Sequence, residues 1–133
     1  LARIDSFIAA RHQVRSFYQQ ALGGLADSGR LVLAPRDEPG SPSALHLYTV
    51  QVNPGAGRTR RDVYDALRAD GLGVNVHYIP IYWHPYYQRL GFRRGLCPAA
   101  EAYYERAISI PMHPALTPAE LDHVVAALHR ALG

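Results

Sequence analysis

The chain has 133 residues, 48% of them apolar and 19% charged, with a formal net charge of +3. That is enough chain for one domain with its own core, and the balance excludes a disordered polypeptide. Cys97 is the only cysteine, which excludes an intrachain disulfide, and no apolar run has membrane-spanning length.

All fourteen basic residues are arginine. A chain without lysine forms no Schiff base through a side chain. No stretch resembles a signal peptide, and a cytoplasmic location is expected. In chain order, Ile4, Phe7, Ile8, Val14, Phe17, Tyr18, Ala21 and Leu22 recur at helical spacing, with no Ser, Thr, Asp or Asn cap ahead of the run. Residues 1–22 therefore read as a truncated helix, and 1–133 as a single domain forming the C-terminal piece of a longer two-domain protein. The helix is expected to stop at Gly23-Gly24.

Arg30 to Pro35 reads as a short strand and 36–43 as a turn rich in Pro, Gly and Ser. Ala44 to Val52 alternates as a second strand, with Leu45, Leu47 and Thr49 on one face and His46, Tyr48, Val50 and Val52 on the other. Thr59 with Asp62 opens a helix whose inner stripe is Val63, Ala66 and Leu67, and Gly71 and Gly73 close it. Gly73 to Ile79 reads as a third strand stopped by Pro80. Pro98 starts another helix, 108–111 is a short extended piece, and Thr117, Pro118 and Glu120 open the last helix, with Leu121, Val124, Val125, Leu128 and Leu132 inward. The loop-like link between the first two strands favours an antiparallel pair. The expected fold class is α+β, a small mainly antiparallel sheet covered by helices.

No HxxxH or HExxH pair occurs and Cys97 has no cysteine partner, so neither a metal site nor a nucleophilic triad is expected. Arg58, Arg60 and Arg61, and Arg89, Arg93 and Arg94, form two clusters that read as solvated faces or as contacts for a small phosphorylated ligand; nucleic acid is not expected. The segment "NVHYIPIYWHPYY", Asn75 to Tyr87, holds two histidines, five aromatics and two prolines in thirteen residues. Strand geometry places Asn75 and His77 on one face and Tyr78 on the other. Side chains with an apolar body and a polar tip suit either a packing clamp or one wall of a ligand cleft, and these readings stay open side by side.

"GVNVHYIPIYWHPYYQRLGF", with "CPAAEAYYERAISIPMHPALT" and the closing helix, resembles the C-terminal part of DegT/DnrJ-type sugar aminotransferases. The resemblance runs from Leu1 to Leu132, its specific part from Gly73 to Thr117. The wording is similar to one branch, the transaminases that make UDP-4-amino-4,6-dideoxy-N-acetyl-β-L-altrosamine on the route to pseudaminic acid. The resemblance implies the small domain of the aspartate aminotransferase fold and pyridoxal 5'-phosphate held mainly by a large domain that also supplies the lysine. It implies a nucleotide-sugar substrate, amino transfer from glutamate to a 4-keto-6-deoxy sugar, a homodimer, and no nucleic-acid or membrane partner. It places His77 and Tyr78 nearest the sugar, with Asn75, Tyr82 and His84 added by proximity. No catalytic residue is expected in this chain, which should be inactive alone. A non-catalytic nucleotide-sugar or anion-binding module, or an interaction domain, is the alternative.

Overall fold

The computed structural model describes residues 2–35, 37–38 and 40–133. Helix α1, Ile4–Ala21, starts after Arg3 without a side-chain cap and buries Val14 and Tyr18. It does not stop at a left-handed glycine. Leu22 closes it, and Gly23–Asp27 forms a short helix, α2. Leu22 and Leu25 are both buried. Their burial, worth about 2 kcal/mol each, outweighs the ~1 kcal/mol helix penalty of a glycine. The chain turns instead at Gly29, where φ is +70°.

Three strands follow: β1, Leu31–Val32; β2, Tyr48–Val52; and β3, Ala107–Ile110. They lie in the order β1-β2-β3, antiparallel throughout. The expected turn over 36–43 includes Arg36 and Pro39, which lie outside the described residues; beside them Arg15 pairs with Asp37 at 2.6 Å. β2 starts later than the alternation predicts, because Leu45 takes φ +51°, a left-handed geometry incompatible with a strand.

The third strand is also displaced. Gly73 to Ile79 contributes a single bridge, Asn75 with Ser109, before the chain leaves the sheet towards Pro80, which has no amide to pair. Ala107–Ile110 takes the place beside β2 instead, and all four of its residues are buried, as a strand covered on both faces requires.

Register explains the two faces. Tyr48 lies opposite Ile110 and Val50 opposite Ile108, so these side chains share the core face with Val52. They pack on Val14 and Tyr18 of α1, on Val63 and Leu67 of α3 (Arg60–Ala69), and on Val124 and Leu128 of α6 (Pro118–Leu132). Thr49 lies opposite Ser109 on the other face. Helix α5, Pro98–Arg106, runs next to β2. Both expected capping boxes form: Thr59 with Asp62 at α3 and Thr117 with Glu120 at α6. Arg130 reaches Asp70 at 2.8 Å and ties the end of α3 to α6.

One core group is out of balance. The Tyr48 hydroxyl is buried and has no hydrogen-bond partner among the described residues, whereas its neighbour Tyr18 donates to the Pro111 carbonyl at 2.9 Å. Burial pushes the Tyr48 hydroxyl up from 10.0 to about 12, against the opposing charge of Arg15. Tyr48→Phe is therefore expected to match or exceed wild-type stability, by up to ~1 kcal/mol. The sign at high pH follows. A raised folded-state value means that stability is intact below 10.0 and declines as pH climbs towards about 12, where the unfolded chain has already lost its proton. Urea melts across that window should decline less steeply for Tyr48→Phe; parallel curves would refute this assignment.

Candidate functional site

Beyond the bridge at Asn75, the chain lines a cleft of about 400 Å³ with Asn75, His77 and Ser109, joined by His46 and His113 from flanking loops. Two backbone bonds, 3.1 and 2.8 Å, clamp Asn75 to Ser109. In extended backbone a residue two further on returns to the same side, and His77 does so: its Nδ1 lies 2.8 Å from the Ser109 hydroxyl. Thr49 Oγ1 lies 3.1 Å from that same hydroxyl. Tyr78 projects outward, 74% exposed, with its ring edge on His77 at 4.5 Å between centroids.

The structure thus brings Asn75 and His77 together in the cleft and sets Tyr78 at their side. Tyr82 and His84 lie elsewhere. Tyr82 and Trp83 sit in a 3-10 turn, Ile81–Trp83, and are buried. The Tyr82 hydroxyl donates to Glu101 at 2.7 Å and accepts from the Cys97 amide at 3.2 Å. His84 is exposed at the start of α4, Pro85–Arg89. Tyr82 and Trp83 are drawn inward because α5 supplies their partner, whereas His84, Pro85 and Tyr86 are exposed and Tyr87 is half-buried.

Glu101 holds this excursion. Besides Tyr82, its carboxylate accepts from the Gly95 amide at 2.6 Å and the Trp83 indole at 3.3 Å. The Tyr82 hydroxyl, then the Gly95 amide, the Trp83 indole and the Arg94 charge, hold Glu101 below its ordinary 4.5, with partial burial opposing them. A lowered value contributes order above 4.5 that is lost as pH falls through the folded-state value. Amides of 82–97 should therefore lose exchange protection in acid before those of β2 and β3. Uniform loss across the chain would sink this.

Thr49 and Ser109 were not singled out from the sequence as site residues. The available signal was Ser109 itself, a polar residue between two isoleucines in a strand buried on both faces. Among the described residues no group of three or more His, Cys, Asp or Glu could hold a metal ion. Among the described residues no helix is long and apolar enough to cross a membrane.

A profile of the DegT/DnrJ/EryC1/StrS aminotransferase family matches residues 1–129. The chain belongs to this family. Relatives include the spore coat polysaccharide biosynthesis protein SpsC of Bacillus subtilis, 32% identical over 96% of this chain and 33% of its own length. The GDP-perosamine synthase of Caulobacter vibrioides is 32% identical over 99% of this chain and 34% of its own. Among solved structures, the PLP-form of the putative sugar aminotransferase Spr1654 from Streptococcus pneumoniae superposes with a TM-score of 0.86 at 25% identity, over 99% of this chain and 33% of that one. DesV of S. venezuelae in complex with a ketimine intermediate gives 0.83 at 27%, over 98% and 33%. The chain therefore spans about a third of the length of these family members.

The family is one of aminotransferases, and the Spr1654 relative was solved in a PLP-form. The cleft of this chain does not suit that cofactor by itself. The chain has no lysine, and neither a carboxylate nor a guanidinium lines the cleft among the described residues. Its polar side chains are three imidazoles, an amide and one hydroxyl, which suit a neutral oxygen-rich ligand surface.

Proposed function

We propose that this chain is the small C-terminal domain of a pyridoxal-phosphate-dependent nucleotide-sugar aminotransferase that acts as a homodimer in the cytoplasm. The intact enzyme transfers an amino group from glutamate to a 4-keto-6-deoxy nucleotide sugar. The UDP-N-acetyl series, with a 4-amino-altrosamine product, is the branch favoured by the sequence around "NVHYIPIYWHPYY". The family match over residues 1–129 carries the reading. The cleft supports it, because His77 and Asn75 are presented on a rigid sheet edge where a sugar can be bound and oriented. The cofactor supplies the electron sink and is held by residues outside this chain. This chain contributes shape and hydrogen bonds from Asn75, His77 and Tyr78. Tyr82 serves the reading by bracing the excursion, and His84 lies at its exposed surface.

A graft tests this. The chain replaces the matching third of the Caulobacter GDP-perosamine synthase, and the hybrid is given pyridoxal phosphate and glutamate. A glutamate-dependent change in the cofactor's absorbance is expected, followed by turnover of a 4-keto-6-deoxy sugar offered in UDP and GDP forms. The chain alone should show no borohydride-reducible band beyond that of its amino terminus, and no heat on titration with either nucleotide sugar. Tight binding of a nucleotide sugar by the isolated chain, with an inert hybrid, would replace this reading with a non-catalytic binding module.

A further inference from the structure

His77 does not stand alone in the cleft. Its Nδ1 is 2.8 Å from the Ser109 hydroxyl, and that hydroxyl is 3.1 Å from Thr49 Oγ1. Ser109 is 4% exposed and sits in the middle of β3. Its backbone is gripped from both sides, in register with Thr49 on β2 and bridged to Asn75 through 3.1 and 2.8 Å bonds. The direction of its side chain is therefore set by the sheet.

A serine hydroxyl has one proton to give and lone pairs to receive. Between Thr49 and His77 it either donates to the imidazole and accepts from the threonine, or the reverse. In both cases turning the ring away leaves half of the buried hydroxyl's bonding capacity unmet, with only the Thr49 bond remaining. Thr49 is the last link, because its hydroxyl must take the role opposite to the serine's, so the serine cannot exchange roles unless the threonine turns with it. An imidazole held at Nδ1 presents Nε2 on its far edge, and which of the two carries the proton is decided by the bond at Nδ1.

We propose that Ser109, backed by Thr49, is the positioning residue that fixes the ring orientation and tautomer of His77, so that Nε2 meets a hydroxyl or keto oxygen of the sugar. What Nε2 meets rests on the function proposed above; the positioning itself is a property of this chain.

The test reads the ring directly. The complete chain is labelled with 15N, and long-range proton–nitrogen spectra of its histidines are recorded at about pH 8.5, where imidazoles are neutral. His77 is expected to show one dominant tautomer, while exposed His46 shows the averaged pattern of a free ring. Ser109→Ala should return His77 to the averaged pattern, Thr49→Val should shift its Nδ1 resonance, and Thr49→Ser, which keeps the hydroxyl, should leave wild-type signals. If Ser109→Ala loses its dispersed amide spectrum, Thr49→Val carries the decision. A His77 that averages in the wild type, or that ignores both Ser109→Ala and Thr49→Val, overturns the positioning role. In the grafted enzyme, Ser109→Ala and His77→Ala should each reduce kcat/KM for the keto sugar at least several-fold while the glutamate half-reaction is retained. A tautomer that changes with Ser109→Ala beside an unaffected His77→Ala turnover overturns the sugar contact and leaves the positioning intact.

Discussion

Leu128→Ala is expected to destabilise the domain by about 3 kcal/mol, a large share of the ~5–15 kcal/mol that a domain of this size has in total. Leu128 is fully buried in the layer where α3 and α6 meet over the sheet. Truncation removes its transfer free energy and leaves a cavity lined by the strands' inward residues. These cannot collapse into it, because Val50 and Ile108 are fixed by register. The urea midpoint should fall while the slope stays unchanged. Leu96→Ala, at a leucine that is 54% exposed, is the control and should stay within about 0.5 kcal/mol of wild type. Equal effects at the two leucines would mean that the core does not lie where these elements place it.

Trp83→Ala is expected to act locally and strongly. The indole is buried at the root of the excursion, edge-on to Tyr104 at 5.5 Å between centroids, with the Arg94 guanidinium 3.9 Å from its ring centre. Its Nε1–H also donates to Glu101. Burial of a tryptophan in such a seat is worth about 3 kcal/mol, or roughly 100-fold in an opening equilibrium. The backbone bonds of 84–97 close among themselves and on Ile81, Tyr82 and Glu101, so this stretch can open without unfolding the sheet. Hydrogen exchange should therefore accelerate by about two orders of magnitude from His84 to Cys97, with β2 and β3 almost unchanged. A global loss of protection would show that the excursion is part of the core. No change at all would show that Glu101 and Tyr82 suffice without the indole.

Much of the fold was legible because local chemistry and burial agree there. Thr59–Asp62 and Thr117–Pro118–Glu120 announce helices that form as read, with Val63, Leu67, Val124 and Leu128 inward. The reading failed where tertiary partners decide. Gly23-Gly24 does not end a helix, because Leu22 and Leu25 pull that turn onto the core. Gly73 to Ile79 has strand composition, yet only Asn75 finds a partner, and the short extended piece read at 108–111 supplies the third strand instead, as Ala107–Ile110. At the site, His77 and Asn75 were legible from strand parity. Ser109 and Thr49 were not, because their contact spans sixty positions and arises only from strand register. Tyr82 and His84 were chosen by nearness in sequence, and a partner distant in sequence, Glu101, draws the first of them away from the cleft.

The Asn75–Ser109 bridge has a second consequence. On the far side of the sheet, the outer strand β1 is only two residues long. On the near side, a single bridging residue covers the middle of β3 and the chain then departs towards Pro80. Neither border offers a run of free amides and carbonyls long enough to template a strand from another molecule. A domain whose exposed surface includes Ile81, Tyr86, Leu90 and Leu96 is thereby guarded against cross-β polymerisation at the point where its backbone is most open to it.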